Sequence, residues 1–264
     1  MCIMSREIIS MLNSAPKEDI KASATLRIFK NNQKFFSKVL KEVCHATKCR
    51  ERMLDLGCGF AYLTLLMAKA LKFKEAYGVD MDESRLKIAN SRIIAIRFDL
   101  EHNKFPFPDN YFDLITCFGV LEHLKYYDNT IKEAYRVLKK GGVFLVSVPN
   151  LGNWLNRILL LLGYQPRDVE FSNIRAFGLP EIWPLDRRDV WGHIHAPTLK
   201  ALKDILEYYN FTINHIWGIT PSNELKLQLT NLNGGVKTVL LVANSVLSLK
   251  PSLSARNFIM SLKV

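Results

Sequence analysis

Residues 53–64 read MLDLGCGFAYLT: a short apolar run, a Gly-Cys-Gly turn at Gly57–Gly59, then apolar residues at helical spacing. Strand, glycine turn and helix open many nucleotide-binding folds. A dinucleotide fingerprint places a third glycine three residues after the second, where helix and strand touch. Tyr62 stands there and is too bulky for that contact. Asp55, two residues before Gly57, is unfavourable beside a pyrophosphate and well suited to a cation.

The pattern around this turn alternates. Strands are expected at Met53–Leu56, Glu75–Asp80, Ile93–Asp99, Phe112–Val120 and Val143–Val148, and helices at Ala61–Leu71, Glu83–Ser91 and Asp128–Lys139. Gly141-Gly142 is expected to stop the last helix, with Lys139 and Lys140 at its negative end. Such alternation implies a parallel sheet covered on both faces. Upstream, Phe35, Phe36, Val39, Leu40 and Val43 lie on one face of a helix expected within 17–46, so residues 1–50 read as a helical lead-in. Downstream, residues 151–195 break the rhythm with Trp154, Tyr164, Trp183 and Trp191, arginines 157, 167, 175, 187 and 188, and three prolines. Regular structure resumes with a helix from Pro197-Thr198 to Tyr209 and a strand at Phe211–Trp217. A loop at Gly218–Gly235, a helix at Val236–Leu249 and a strand at Asn257–Lys263 follow. The reading is one domain over 51–264, with 151–195 inserted after the fifth strand as a cap on the acceptor pocket.

The net charge of +11 sits on the flanks. Residues 1–50 hold ten Lys/Arg against four Asp/Glu, and residues 221–264 hold five against one. A solvated surface explains this; attraction to nucleic acid or to an anionic lipid surface is the sharper alternative. No apolar run reaches membrane-spanning length, and the first residues lack the pattern of a signal peptide. Five scattered cysteines suit a reduced, cytoplasmic setting. Cys44, His45 and Cys49 lack zinc-site spacing, so no metal is expected.

In open α/β sheets ligands bind at the carboxyl ends of the strands. Asp80 closes the second strand, where a carboxylate accepts from both ribose hydroxyls, and Asp99 ends the third, in reach of an adenine amino group. Three acids, a glycine turn and no phosphate-binding lysine describe an adenosine that carries positive charge. At this point the chain resembles the class I S-adenosylmethionine-dependent methyltransferases of the type 11 branch. LDLGCG (Leu54–Gly59), GVD (Gly78–Asp80), the run from Phe98 to Leu124, and LKKGGVFLVSVPN (Leu138–Asn150) are similar to that family's motifs in order and spacing. Ala61 departs from the pattern where a further small glycine is common; because alanine is small, little consequence is expected.

The resemblance implies a Rossmann-like, seven-stranded, mostly parallel sheet with helices on both faces and a reversed last strand. It implies S-adenosylmethionine as cofactor, held by Asp55, Gly57, Cys58, Gly59, Asp80, Met81, Asp99, Leu100 and Phe118. The stretch Phe118–His123 falls where the reactive methyl group should sit. Glu122 and His123 are candidates for binding substrate or moving a proton; alternatively Glu122 caps the next helix and His123 packs. His193 and His195 flank Ile194 and would share one side of an extended segment, as a base near the acceptor or as structural residues before the Thr198 N-cap. Methyl transfer to a small-molecule, glycan or lipid-precursor acceptor is expected, at oxygen before nitrogen or carbon. Two rivals stay open: an RNA methyltransferase using the basic flanks, and a non-catalytic subunit of the same fold.

Overall fold

The structure is a computed structural model that describes residues 6–179, 190–219, 234–247 and 249–264. Cys2, Trp183, Arg187, Arg188 and most of the loop expected at Gly218–Gly235 lie outside these.

The lead-in is four helices, not one: α1 (Arg6–Asn13), α2 (Lys17–Ala22), α3 (Ala24–Asn31) and α4 (Gln33–Ala46). Two polar residues interrupt what periodicity alone joined. Ser23 and Asn32 leave helical geometry, and their side chains accept from Leu26 N at 3.1 Å and Phe35 N at 3.0 Å, satisfying donors that a helix start leaves open.

The sheet follows: β1 (Arg52–Leu56), β2 (Glu75–Asp80), β3 (Ile94–Arg97), β4 (Phe112–Phe118), β5 (Leu138–Pro149), β6 (Phe211–Ile219) and β7 (Arg256–Lys263), in the spatial order β3-β2-β1-β4-β5-β7-β6. Neighbours from β3 to β5 pair in parallel, while β7 runs antiparallel to both β5 and β6. Helices α5 (Tyr62–Leu71), α6 (Glu83–Ala89), α7 (Asp128–Val137), α8 (Trp154–Leu161), α9 (Leu199–Tyr208) and α10 (Gly234–Leu247) complete the chain. Side-chain alternation divides the core in two. Met53, Leu114, Leu145 and Phe258 pack with α5 and with lead-in residues such as Phe29, Phe36 and Val39. Leu54, Ile115, Phe144 and Ile259 face α7 and α9 on the other side. The lead-in thus shares a continuous core with the sheet.

Two expectations need correction. Helix α7 ends at Val137, and Lys139 to Gly142 belong to β5, which takes up the extra residues in a register shift opposite Phe112 and Leu114. Lys139 therefore does not cap a helix; its Nζ meets the buried Asp113 carboxylate at 2.8 Å. Gly218 lies inside β6 rather than in a loop. Among the described cysteines, Cys49, Cys58 and Cys117 are free thiols. Among the described residues no helix is long and apolar enough to cross a membrane.

Candidate active site

The carboxyl ends of β1, β2 and β4 open into a cavity of about 860 Å³. Its floor is the glycine turn. Gly57 has a φ of 72°, and a Cβ there would come within 2.3 Å of Val120 Cγ2. Gly59 has a φ of 55°, and its amide donates to Asp80 Oδ2 at 2.8 Å. The other Asp80 oxygen accepts from the Asp82 amide at 2.9 Å. Each carboxylate oxygen keeps a further lone pair, so Asp80 can still accept from a pair of hydroxyls.

Asp55 lines the cavity but is almost closed to water. Its oxygens accept from the Thr64 and Thr116 hydroxyls, the latter at 2.7 Å. It thereby ties β1 to the first turn of α5 and to β4. Burial raises its carboxyl to about 6, against the lowering effect of those two hydroxyls. The orienting part of its expected role matches this geometry; direct contact with a ligand amine competes with two bonds already made. Cys58 backs the turn, and burial and nearby carboxylates push its thiol far above the ordinary range.

Met81, Leu100 and Phe118 also line the cavity. Asp99 does too, but its oxygens accept from the Glu101 amide at 2.8 Å and meet His102 Nδ1 at 2.9 Å. These contacts hold its carboxyl below the usual carboxylate range, the His102 contact being the larger cause.

The far wall comes from the insertion. The Glu170 carboxylate accepts from the amides of Trp191 and Gly192, at 2.9 and 2.7 Å. The amides of Ile194 and His195 donate to the Glu122 carbonyl. These bonds lay residues 190–195 across the short 3₁₀ turn Leu121–His123. His193 is buried between His123 and Trp191, with ring centroids 5.1 and 5.5 Å away. The two histidines of the H-x-H pair part company: His193 lines the cavity, whereas His195 places Nε2 3.0 Å from the Lys125 carbonyl, outside the lining. Alternation would put both on one side of the segment; one of the two, His193, lines the cavity, and the Ile194 amide between them is pinned to the Glu122 carbonyl.

Glu122 is fully buried, and Arg256 Nη2 lies 3.2 Å from its Oε1. Glu122, His123 and His193 place ligand-type atoms within 4.8 Å of one another. Arg256 already supplies a positive charge to that carboxylate, which opposes a metal cation there. Sequence reasoning missed Arg256, because only the antiparallel pairing Pro149↔Arg256 brings it to the site edge. It also missed the lead-in, whose Asp19, Ser23 and Arg27 form part of the cavity wall. The chain positions of these residues give no local signal.

The comparisons fit this geometry. Residues 26–216 match the family described as methyltransferase domain. A probable S-adenosylmethionine-dependent methyltransferase of Mycolicibacterium smegmatis is 38% identical over 109 residues, covering 40% of this chain and 41% of that protein. The ubiquinone/menaquinone biosynthesis C-methyltransferase UbiE of Neisseria gonorrhoeae is 35% identical over 102 residues, or 36% and 42%. The chain thus spans about two-fifths of the length of these curated relatives. The crystal structure of a SAM-dependent methyltransferase from Archaeoglobus fulgidus superposes with a TM-score of 0.57 at 19% identity, covering 88% of this chain and 95% of that one. The chain belongs to the class I S-adenosylmethionine-dependent methyltransferase family. The family's cofactor is S-adenosylmethionine, and the residues present fit it: a glycine cradle with no room for a Cβ at Gly57, and free carboxylate lone pairs on Asp80.

Proposed function

We propose that this protein methylates an oxygen of a small-molecule, glycan or lipid-precursor acceptor, with His123 as general base. One observation carries the choice of base. His123 Nδ1 lies 2.9 Å from the Gly192 carbonyl oxygen. A carbonyl only accepts, so Nδ1 carries the proton in the neutral ring and Nε2 keeps its lone pair. His123 is exposed and lines the cavity, so that lone pair is accessible to an acceptor.

When bound, S-adenosylmethionine supplies a methyl group made electrophilic by its sulfonium. Asp80 orients the ribose, and the Gly57–Gly59 turn admits the methionine end. Gly119, with a φ of 68° and only ordinary contacts around its Cβ position, leaves space beside the transferred group. With the donor bound, His123 Nε2 would take the proton of the acceptor hydroxyl as that oxygen accepts the methyl group, and the donor would be left as the neutral thioether. His123 then releases the proton to solvent. The likeness to a quinone C-methyltransferase favours a second reading, a carbon acceptor, from which the same nitrogen would take the proton.

The first test is calorimetric titration with S-adenosylhomocysteine, with NADH as control and Asp80→Ala as second sample. Micromolar binding abolished by Asp80→Ala supports the reading, and no binding by the wild type sinks it. Acceptor screening then follows, with His123→Gln expected to lower kcat about 100-fold while leaving S-adenosylhomocysteine affinity intact. An unchanged kcat would remove His123 from the chemistry.

A further inference from the structure

Helices α8 and α10 meet at the edge of the cavity. Trp154 Nε1 donates to Asn244 Oδ1 at 3.1 Å, and both residues line the cavity. Trp154, Leu155 and Leu159 pack with Leu247 and Leu253 behind them. The outward sides of the two helices are apolar. At the end of α8, Leu161 is 85% and Leu162 65% exposed. Along α10 and just past it, Val239, Val242, Val246 and Leu249 recur at helical spacing and are between 57% and 80% exposed. A water-facing helix ordinarily carries polar residues on that side. Exposed aliphatics at helical spacing, on two helices that meet, point to an interaction surface.

The charge around them says what kind. Neither Leu151–Arg167 nor Gly234–Val264 contains an Asp or Glu, while Arg256 is buried against Glu122 and Lys263 is buried among backbone carbonyls. Arg157 and Lys250 are exposed and adjoin Ile158 and Leu249 in sequence. Apolar side chains flanked by cations suit an anionic lipid surface, where aliphatics enter the acyl boundary and cations meet headgroups. A second copy of this chain would bring like charges together across a self-complementary interface.

We propose that the α8–α10 face seats on an anionic membrane surface and that the acceptor enters the cavity from that surface. The second clause rests on the methyl-transfer reading; the first does not. The test is co-sedimentation of the full chain with vesicles of phosphatidylcholine alone or with added phosphatidylglycerol, beside Leu161→Asp/Val246→Asp. The wild type is expected to pellet with the anionic vesicles, and the double variant to lose at least about tenfold in partitioning. Unchanged S-adenosylhomocysteine binding by the double variant would show that it is folded. No pelleting of the wild type with anionic vesicles, or pelleting that ignores the two substitutions, overturns the proposal. So does a wild-type dimer in analytical ultracentrifugation that the substitutions dissociate, since that gives the face to a second copy. Vesicle binding by a wild type that does not bind S-adenosylhomocysteine would uphold the lipid face and fell the methyl-transfer reading alone.

Discussion

Arg92 holds Asp19 at 2.7 Å across the junction between the lead-in and the sheet domain. The same Nη1 donates to the Phe60 carbonyl, also at 2.7 Å, and the guanidinium lies over the Tyr62 ring at 5.2 Å. One side chain thus fixes both the glycine turn and the helix that walls the cavity beside it. Arg92→Ala leaves the buried Asp19 carboxylate without this partner, and a destabilisation of roughly 3 kcal/mol is expected. S-adenosylhomocysteine affinity should fall with it. Urea unfolding and calorimetry check the two effects, and an unaltered affinity would separate the lead-in from cofactor binding.

The pH dependence at Asp55 has a definite sign. Its folded carboxyl titrates at about 6, above the unfolded value of about 4. Between those values the folded protein keeps a proton that the unfolded chain has released, so this residue's contribution to stability falls as pH rises through the window. Relative to Asp55→Asn, the wild type should lose about 2 kcal/mol of unfolding free energy between about pH 4 and pH 7. Paired denaturation curves at the two pH values measure the difference; a constant offset would mean that Asp55 titrates normally.

Glycine and alanine in the turn should respond in opposite directions. Gly57→Ala puts a Cβ on Val120 at a positive φ, so loss of stability and of cofactor affinity is expected even beside Val120→Ala, which relieves only the contact. Ala61 is at a φ of 62° and buried. Left-handed backbone costs an alanine about 1 kcal/mol relative to glycine, and Ala61→Gly should return much of that. Thermal unfolding of the two variants tests the contrast in sign.

Arg256 and Glu122 form a pair best probed together. Arg256→Met leaves a carboxylate in a fully buried position without its cation, at a cost of roughly 3 kcal/mol. Adding Glu122→Gln removes the charge and should recover most of the loss. If the double variant is as unstable as the single one, the damage is to packing rather than electrostatics.

The strand–helix rhythm from Arg52 to Pro149 was legible because the strands are short, apolar and punctuated by Gly, Asp and Pro. That Asp55, Gly57, Gly59, Asp80 and Asp99 share one cavity was legible because they lie in or next to those strand ends. The breaks at Ser23 and Asn32 were not, since each needs only one capping side chain inside an otherwise continuous amphipathic pattern. Lys139–Gly142 misled because a glycine pair reads as a helix stop, while the sheet used it to absorb a register shift. Ala61 was judged by its volume, and its backbone angle is what matters. His195 followed from alternation, which a pinned amide at Ile194 cancels. Arg256, just ahead of the strand read at Asn257–Lys263, was invisible because its partner is 134 residues away.

Because β7 slots between β5 and β6, the sheet cannot close in the order in which its strands are made. Until β7 is made, β5 and β6 lack the strand that lies between them, and Glu122 lacks Arg256. Non-local pairing of this kind is slow, so the Glu122–Arg256 wall should form after the cavity edge built by β1, β2 and β4. The order of synthesis thus puts completion of the Glu122 wall after the strands that carry the glycine turn.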